Sequence, residues 1–171
     1  MDTRERVLEH IRKHPGVSFR KLAEELNLGI GDLQYHLYRL EKSGEIFSRK
    51  MGGRRYLFPR DMEGEYQRML IAISTETRRK IMLLLARGEK NQSELAENLG
   101  LTQATVNHHM KELLKLGVVK SRKEGRKVIY SLNCDVDTMM RIIREYRPKI
   151  WERWAEQLVD MLVELGGAED A

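Results

Sequence analysis

The sequence is poor in cysteine, proline and aromatic residues. Its 171 residues include one cysteine, three prolines and 6% aromatic side chains. The single cysteine, Cys134, excludes an internal disulfide framework and a zinc site built from a cysteine cluster. No run of residues approaches the roughly 18 consecutive apolar side chains of a transmembrane helix. We therefore expect a chain folded around an ordinary apolar core, without a membrane partner.

The amino terminus and the charge balance indicate a compartment and a kind of partner. The start, MDTRERVLEH, is charged and lacks the apolar region of a signal peptide. We therefore expect a cytoplasmic protein. The 31 Lys and Arg residues exceed the 26 Asp and Glu residues, which gives a net charge of +5. A basic balance favours a polyanionic partner, although a solvated surface explains the same excess.

The chain contains the same pattern twice, at a constant offset that places Leu22 on Leu95. LAEELNL at Leu22–Leu28 returns as LAENLGL at Leu95–Leu101. The match continues at this repeat offset, without a gap, to Gly52 and Gly125, with 13 identities in 31 aligned positions. Chance identities rarely stay in register over so long a stretch, and a repeat of this kind indicates a duplicated structural unit.

Each copy predicts three helices followed by a β-hairpin. Apolar residues at spacings of three and four indicate the helices, and short β-rich stretches around glycine indicate the hairpins. The spacing suggests a difference of one residue between the copies before the second helix, and another in the hairpin. The expected strands and turns are Glu45–Lys50, Met51-Gly52-Gly53 and Arg54–Phe58 in the first copy, and Val118–Lys123, Glu124-Gly125 and Arg126–Leu132 in the second.

The sharp turn between the second and third helices is encoded in both copies. It needs a small residue inside the second helix and, four residues later, one that tolerates positive φ. Ala23 and Asn27 meet this need in the first copy, and Ala96 and Gly100 in the second. Helix, tight turn, helix and basic hairpin is the order of a winged helix-turn-helix. In that fold the third helix enters the major groove of DNA, and the hairpin carries cations to phosphate or into the minor groove.

The predicted organisation is two winged helix-turn-helix domains in tandem, followed by a C-terminal helical segment. The fold class is mainly α with small β-hairpin wings. We expect the first domain at residues 1–59, a linker helix at 60–73, the second domain at 74–133, the helical segment at 134–166 and a disordered tail at 167–171.

The third helix of the second copy has polar residues on the side away from its core. Val106, Met110 and Leu113 face the core by their spacing. Asparagine and glutamine pair with adenine, lysine reaches guanine or phosphate, and a threonine at a helix N-cap suits a phosphate contact. The predicted DNA-binding residues of this domain are Thr102, Gln103, Ala104, Asn107, His108 and Lys111 on the helix, and Arg122, Lys123, Arg126 and Lys127 on the wing.

The second copy resembles the ArsR family of winged-helix repressors. The resemblance rests on TETRRKIMLLL, SELAENLGLTQATVNHHMKELLKLGVV and KEGRKVIYSLN. It implies that the outward residues of the third helix read bases and hold phosphate. Many ArsR relatives sense metals through cysteine pairs on the preceding helix, where this chain has Ser93-Glu94-Leu95-Ala96. We therefore expect no metal site and no cofactor.

The first copy is similar to MarR-type and archaeal winged helices through LAEELNLGIGDLQYHLYRLEKSGEI. It departs from the pattern because Gly29 replaces the usual capping Ser or Thr, and Asp32 places an acid near the expected DNA surface. Tandem winged helices on one chain resemble archaeal transcription regulators. The matching DNA-binding positions are Ile30, Gly31, Gln34, Tyr35 and Tyr38 on the helix, and Arg49, Lys50, Arg54 and Arg55 on the wing.

An apolar stripe follows Asn133, and Pro148 is expected to kink or divide it. As in ArsR-type dimers, the stripe is predicted to pair with a second copy of the chain, although packing against the second domain explains the same pattern. Its members are Met139, Ile143, Tyr146, Ile150, Trp154, Leu158, Met161 and Leu165.

Together these features predict a homodimeric transcription regulator that binds specific sequences in double-stranded DNA. One alternative is an architectural DNA-binding protein with weak sequence preference. Another is a winged-helix module that recruits a protein partner such as a basal transcription factor. An enzyme is disfavoured, because the sequence has no phosphate-binding glycine loop, no metal-ligand constellation and no nucleophile motif.

Overall fold

A computed structural model describes residues 1–155 of the chain. The chain forms two compact units, divided between Ser74 and Thr75. Each unit runs helix, short strand, helix, helix, two-stranded hairpin, helix. The described residues are mainly helical, with one small antiparallel sheet in each unit, which confirms the predicted fold class.

The first unit is built around a leucine-rich core and a three-stranded sheet in the order β1-β3-β2. Leu22, Leu33, Leu37 and Leu40 are fully buried in this core. The first helix begins at a capping box, in which Asp2 accepts from the Glu5 backbone and the Glu5 side chain accepts from the Asp2 backbone. The elements are α1 (Thr3–Lys13), β1 (Val17–Ser18), α2 (Phe19–Leu26), α3 (Ile30–Lys42), β2 (Ile46–Met51), β3 (Arg54–Pro59) and α4 (Gly64–Ala72).

The second unit has the same topology, with its sheet in the order β4-β6-β5. Its elements are α5 (Glu76–Ala86), β4 (Lys90–Asn91), α6 (Gln92–Leu99), α7 (Gln103–Leu116), β5 (Val119–Glu124), β6 (Lys127–Leu132) and α8 (Val136–Tyr146). Arg147 leaves the helical conformation just before Pro148, and residues 148–155 are helical again. The predicted division at Pro148 is therefore confirmed, since a proline disfavours helical geometry at the residue before it.

The repeat is regular in three dimensions. The limits of the first hairpin recur in the second at the repeat offset, so the predicted difference of one residue in the hairpin is wrong. Met51 pairs with Arg54, and Glu124 pairs with Lys127, which leaves two-residue turns at Gly52-Gly53 and at Gly125-Arg126. Glu124 thus ends a strand and Arg126 lies at the tip of the second wing. Two-residue turns are preferred because their twist matches that of the paired strands.

The buried positions of the first helices in the two units differ by one residue. Val7, Leu8 and Ile11 are buried on α1, whereas Ile81, Met82 and Leu85, each one position beyond the repeat offset, are buried on α5. The limits of these helices themselves recur at the repeat offset, so the difference is one of which helical face packs inward. The short strand and the second helix also recur at the repeat offset, so the predicted difference of one residue between the first and second helices is wrong.

The helix expected as a linker lies within the first unit. Its last turn is apolar on every side, and Met69, Leu70 and Ile71 are all buried. In the order of elements α4 holds the place that α8 holds in the second unit, so each unit ends in a fourth helix. The sequence repeat did not reveal this equivalence, because the two helices share a position in the fold and little sequence.

Most of the described C-terminal stripe is buried within the single chain. Met139 and Ile143 have no exposed surface, and Trp154 is 8% exposed. Tyr146 and Ile150 are half-buried, so they are the described members that retain surface for a second copy. The remaining stripe residues, Leu158, Met161 and Leu165, and the tail at 167–171 lie outside the described residues. Among residues 1–155, none of the helices combines the length and apolar character needed to cross a membrane.

Candidate nucleic-acid interface

The turn before each third helix has the predicted geometry. Asn27 and Gly100 both adopt the left-handed conformation, with φ of 52° and 65°. Asn27 is the only non-glycine residue at positive φ in the described part of the chain. This backbone reversal ends the second helix after Leu26 or Leu99 and sets the direction in which the third helix leaves.

Helix α7 presents a polar face to solvent. Val106, Met110 and Leu113 are buried, as their spacing predicts. Gln103, Ala104, His108 and Lys111 are exposed, and Asn107 is half-buried. Neither the Asn107 amide nor the Lys111 ammonium has a hydrogen-bond or ion-pair partner within residues 1–155. Two groups capable of pairing with base edges are therefore unoccupied on this face.

Gln103 is held at the start of the helix by a polar network that the sequence did not reveal. Its Nε2 donates to Ser93 Oγ at 3.3 Å, and its backbone oxygen accepts from Gln92 Nε2 at 3.2 Å. The Tyr130 hydroxyl donates in turn to Gln92 Oε1 at 3.5 Å. Burial raises the pKa of Tyr130, so its hydroxyl keeps the proton that it donates. The bond to Ser93 uses one of the two Gln103 amide N–H groups and leaves the other N–H and Oε1 for a base.

Thr102 acts first as the N-cap of α7. Its Oγ1 accepts from the Thr105 backbone at 3.2 Å and lies 2.9 Å from Thr105 Oγ1. The hydroxyl is thus engaged within the helix, and a phosphate contact there would use the unpaired backbone N–H groups of the first turn. Thr105 is itself exposed beside Ala104, and it was not in the predicted set.

A buried ion pair lies beneath the outer face of α7. Arg78 on α5 is 4% exposed, and its Nη1 lies 3.4 Å from Glu112 Oε2. The distance is that of an ion pair. The two groups do not form a hydrogen bond, and Arg78 Nη1 has no hydrogen-bond partner among the described residues. The other Glu112 oxygen lies 3.4 Å from Nε2 of the exposed His108. Glu112 therefore joins the core of the unit to a side chain on its proposed DNA face.

His109 points inward next to this ion pair. Burial, followed by the charges of Arg78 and His108, lowers the pKa of His109 below its ordinary value of 6.5. Its Nδ1 is buried without a hydrogen-bond partner among the described residues, as is Nδ1 of the equivalent His36. A neutral imidazole is favoured at His109, since a second N–H would have nothing to donate to.

Acidification is expected to destabilise the second unit through His109. Because its pKa is lowered in the folded chain, its contribution to stability is present above the unfolded value of 6.5 and is lost as the pH falls through the folded value. His109→Gln should therefore show a smaller fall in melting temperature between about pH 7 and about pH 5 than the wild type. Comparing the two proteins first at about pH 8 separates lost packing from titration. An equal fall in melting temperature for the variant and the wild type across this pH range would contradict the role of His109.

The wing of the second unit is less basic than its sequence suggests. Arg122 lies 2.9 Å from a Glu89 oxygen and 3.1 Å from a Glu124 oxygen, so two carboxylates already compensate its charge. Lys123, Arg126 and Lys127 are exposed. They have no ion-pair partner in the described part of the chain. Three of the four predicted wing cations are therefore free to meet phosphate.

In the first wing, as in the second, one of the four predicted cations is paired with an acid. Arg55 forms an ion pair with Glu41 of α3, and only Arg49, Lys50 and Arg54 are exposed cations without a described partner. The sequence could not reveal this pairing, because Glu41 and Arg55 lie on different elements. The pairing ties β3 of the wing to α3 and removes one charge from the predicted set.

Helix α3 presents a different outer face from α7. Gly29 gives it no side-chain cap, and Asp32 in its first turn is exposed. Ile30, Tyr35 and Tyr38 are 64%, 56% and 61% exposed. Gly31 and Gln34 complete the predicted set and are also exposed. The structure thus brings the predicted positions together on one face, which is apolar and aromatic where the α7 face is polar.

An open groove lies beside this face. The start of α2, helix α3 and the wing enclose about 1020 Å³, lined by Arg20, Lys21, Lys50 and Arg54 among others. Glu24 is the lining acid without a described partner, because Glu41 is paired with Arg55. Lys21 also lies 3.9 Å from Glu25, a long contact on an exposed side chain. The groove therefore carries a net positive charge.

Within residues 1–155, His, Cys, Asp and Glu side chains form no group of three or more arranged to hold a metal ion. The arrangement that remains is two helical faces flanked by free cations, which is the composition of a surface that contacts nucleic acid.

Both units match known protein families. Residues 1–70 match a family described as an N-terminal HTH domain. Residues 75–121 match the family described as bacterial regulatory protein, arsR family.

Parts of the chain are also similar to individual proteins. The chain is 34% identical over 132 residues to the uncharacterized HTH-type transcriptional regulator MJ1398 of Methanocaldococcus jannaschii, covering 77% of this chain and 34% of the relative. The chain thus spans about a third of that protein's length. It is 35% identical over 65 residues to the transcriptional repressor SdpR of Bacillus subtilis, covering 38% of this chain and 72% of SdpR. The solved structure of HlyU from Vibrio cholerae N16961 aligns with a TM-score of 0.42 and 29% identity, over 46% of this chain and 84% of its own.

Proposed function

Because this chain belongs to the ArsR family of helix-turn-helix regulatory proteins, we propose that it is a transcription regulator that binds specific sequences in double-stranded DNA. The observation that carries the proposal is the outer face of α7. It combines the exposed His108 with an Asn107 amide and a Lys111 ammonium that have no partner within residues 1–155, on the helix that enters the major groove in this fold. The compartment proposed is the cytoplasm, where such a regulator meets its DNA.

The two kinds of side chain in the second unit have different tasks. Asn107, Lys111 and Gln103 read base edges, Gln103 through the amide atoms that Ser93 does not engage. Lys123, Arg126 and Lys127 hold phosphates and fix the position of the unit on the duplex. Arg122 contributes less, because binding phosphate requires it to give up Glu89 and Glu124. The first unit supplies a further contact to nucleic acid through its outer face and wing.

A homodimer is the proposed assembly. Two weak binding modules on one particle raise each other's effective concentration at the DNA without any new contact. Tyr146 and Ile150 are the described stripe residues with surface left for a partner. Sedimentation equilibrium of the full chain tests this proposal directly, and a monomer at micromolar concentration would rule it out.

The experiment that tests the function is selection of bound sequences from a random duplex library at near-physiological salt. An enriched motif supports site-specific regulation, and a palindromic motif supports a dimer on DNA. Binding without enrichment contradicts specific readout and favours an architectural protein. Absence of binding contradicts the proposal and directs attention to a protein partner of the transcription machinery.

Lys127→Ala is expected to weaken binding to all duplexes alike. Lys127 is an exposed cation on the wing, so its contact is with phosphate and carries no sequence information. The slope of log affinity against log salt should fall by about one unit, the contribution of one neutralised phosphate. Fluorescence anisotropy at several salt concentrations measures this. A loss confined to the selected site would instead place Lys127 at a base.

A further inference from the structure

The repeat allows the outer faces of the two third helices to be compared position by position. At the repeat offset, His108 and Lys111 of α7 correspond to Tyr35 and Tyr38 of α3. Cationic and polar groups in the second unit are therefore replaced by aromatic rings in the first. Among the described residues only four large apolar side chains are exposed, and three of them lie on α3. A cluster of this kind on one helix marks a binding surface.

The chemistry around the two rings is cationic. The Arg39 guanidinium lies 5.8 Å from the centre of the Tyr35 ring and donates to its hydroxyl at 3.1 Å. The Lys42 ammonium lies 5.7 Å from the centre of the Tyr38 ring. These contacts hold both rings in place, and more than half of each tyrosine remains exposed. The positive charges of Arg39 and Lys42 beside the rings attract a polyanion, whereas they add little to the binding of an apolar protein surface.

The basic groove lies next to the same helix. Gln34 and Glu41 of α3 line it together with Arg20, Lys50 and Arg54, and these three cations have no ion-pair partner in residues 1–155. An aromatic platform beside a cationic groove is the combination by which proteins hold unpaired nucleic acid, with bases on the rings and phosphates along the groove.

We propose that the first unit binds single-stranded nucleic acid, with successive bases stacked on Tyr35 and Tyr38 and the backbone phosphates in the groove lined by Arg20, Lys50 and Arg54. The faces of paired bases are covered by their neighbours in a duplex, so only an unpaired strand offers them to a tyrosine. A locally opened DNA strand and an RNA both have this chemistry. The inference rests on the proposed assignment of the first unit to nucleic acid and specifies its ligand.

The test uses the full chain and two short labelled oligonucleotides, oligothymidylate and oligouridylate, each about a dozen nucleotides long and without stable pairing of its own. Wild type is expected to bind at least one of them, and the preferred sugar distinguishes DNA from RNA as the source. Tyr35→Ala and Tyr38→Ala should each weaken binding by about tenfold, the effect of losing one stacked base, whereas Tyr38→Phe keeps the ring and the affinity. Variants that bind like the wild type overturn the inference.

The groove has its own variant and control. Arg54→Ala should lower the salt slope of oligonucleotide binding by about 0.7, the value for one phosphate contact on a single strand. Lys120→Ala removes an exposed cation on β5 of the second unit, outside this groove, and should leave oligonucleotide binding unchanged. Equal effects of the two variants would mean that net charge, and not the groove, attracts the strand.

Photocrosslinking locates the contact without any substitution. An oligonucleotide containing 5-bromouracil should crosslink to the tryptic peptide of residues 22–39, which contains both tyrosines. Crosslinks confined to other peptides overturn the placement. Failure here is distinct from failure of the proposed function, because the duplex selection reports on α7. A chain that enriches a duplex motif but binds neither oligonucleotide refutes only the single-strand inference and assigns the aromatic face to a protein partner.

Discussion

Glu112→Ala should destabilise the second unit by about 3–5 kcal/mol, the cost of leaving one partner of a buried ion pair without its counter-charge. Arg78 and Glu112 have side chains that are 5% and 15% exposed, so water cannot solvate the guanidinium once the carboxylate is removed. Urea unfolding followed by tryptophan fluorescence measures the effect, because both tryptophans of the chain, Trp151 and Trp154, belong to the second unit.

The repeat provides a matched control for this prediction. The counterpart of Glu112 at the repeat offset is Arg39, which is exposed and makes a hydrogen bond and a cation–π contact with Tyr35. Arg39→Ala should change stability by no more than about 0.5 kcal/mol. The double variant Arg78→Met/Glu112→Leu should recover most of the loss, because a buried pair replaced by apolar groups leaves no unpaired charge. A loss below about 1 kcal/mol for Glu112→Ala would mean that the pair behaves as a surface contact.

Asn107→Ala is expected to weaken binding to the selected duplex site by about tenfold or more and to relax preference at one base pair. An amide that pairs with adenine contributes about 1–3 kcal/mol of discrimination, and about 1.4 kcal/mol corresponds to a factor of ten. Asn107 is well placed for this, because its half-buried position limits its rotamers and its amide has no partner in the described chain. Affinity for the selected site and for single-base variants, measured by competition, tests the prediction.

The control is the equivalent amide of the first unit. Gln34 is the counterpart of Asn107 at the repeat offset and faces the basic groove of its own unit. Gln34→Ala should leave the base preference at the selected position unchanged, whatever it does to overall affinity. Equal losses on specific and random duplexes for Asn107→Ala would contradict readout by that residue and would place it at the backbone.

Features that depend on a few neighbouring residues were determined by the sequence alone. The helical periods, the left-handed turns at Asn27 and Gly100 and the division before Pro148 were all predicted correctly. Each depends on backbone preferences or on side-chain spacing within one or two helical turns. The resemblance of the second unit to the ArsR family was also visible in its sequence motifs, and residues 75–121 match that family.

Partners between distant residues were decided only by the tertiary structure. The sequence predicted Arg55 and Arg122 as wing cations available to DNA, but Glu41 and Glu89 lie beside them in the structure. It also predicted Gln103 as a base-contacting residue, and the structure shows its amide bonded to Ser93. The burial of Met139 and Ile143 within the single chain has the same origin. An apolar period states which face of a helix avoids water, whereas the packing of the whole unit decides what covers that face and which charges come within reach of each other.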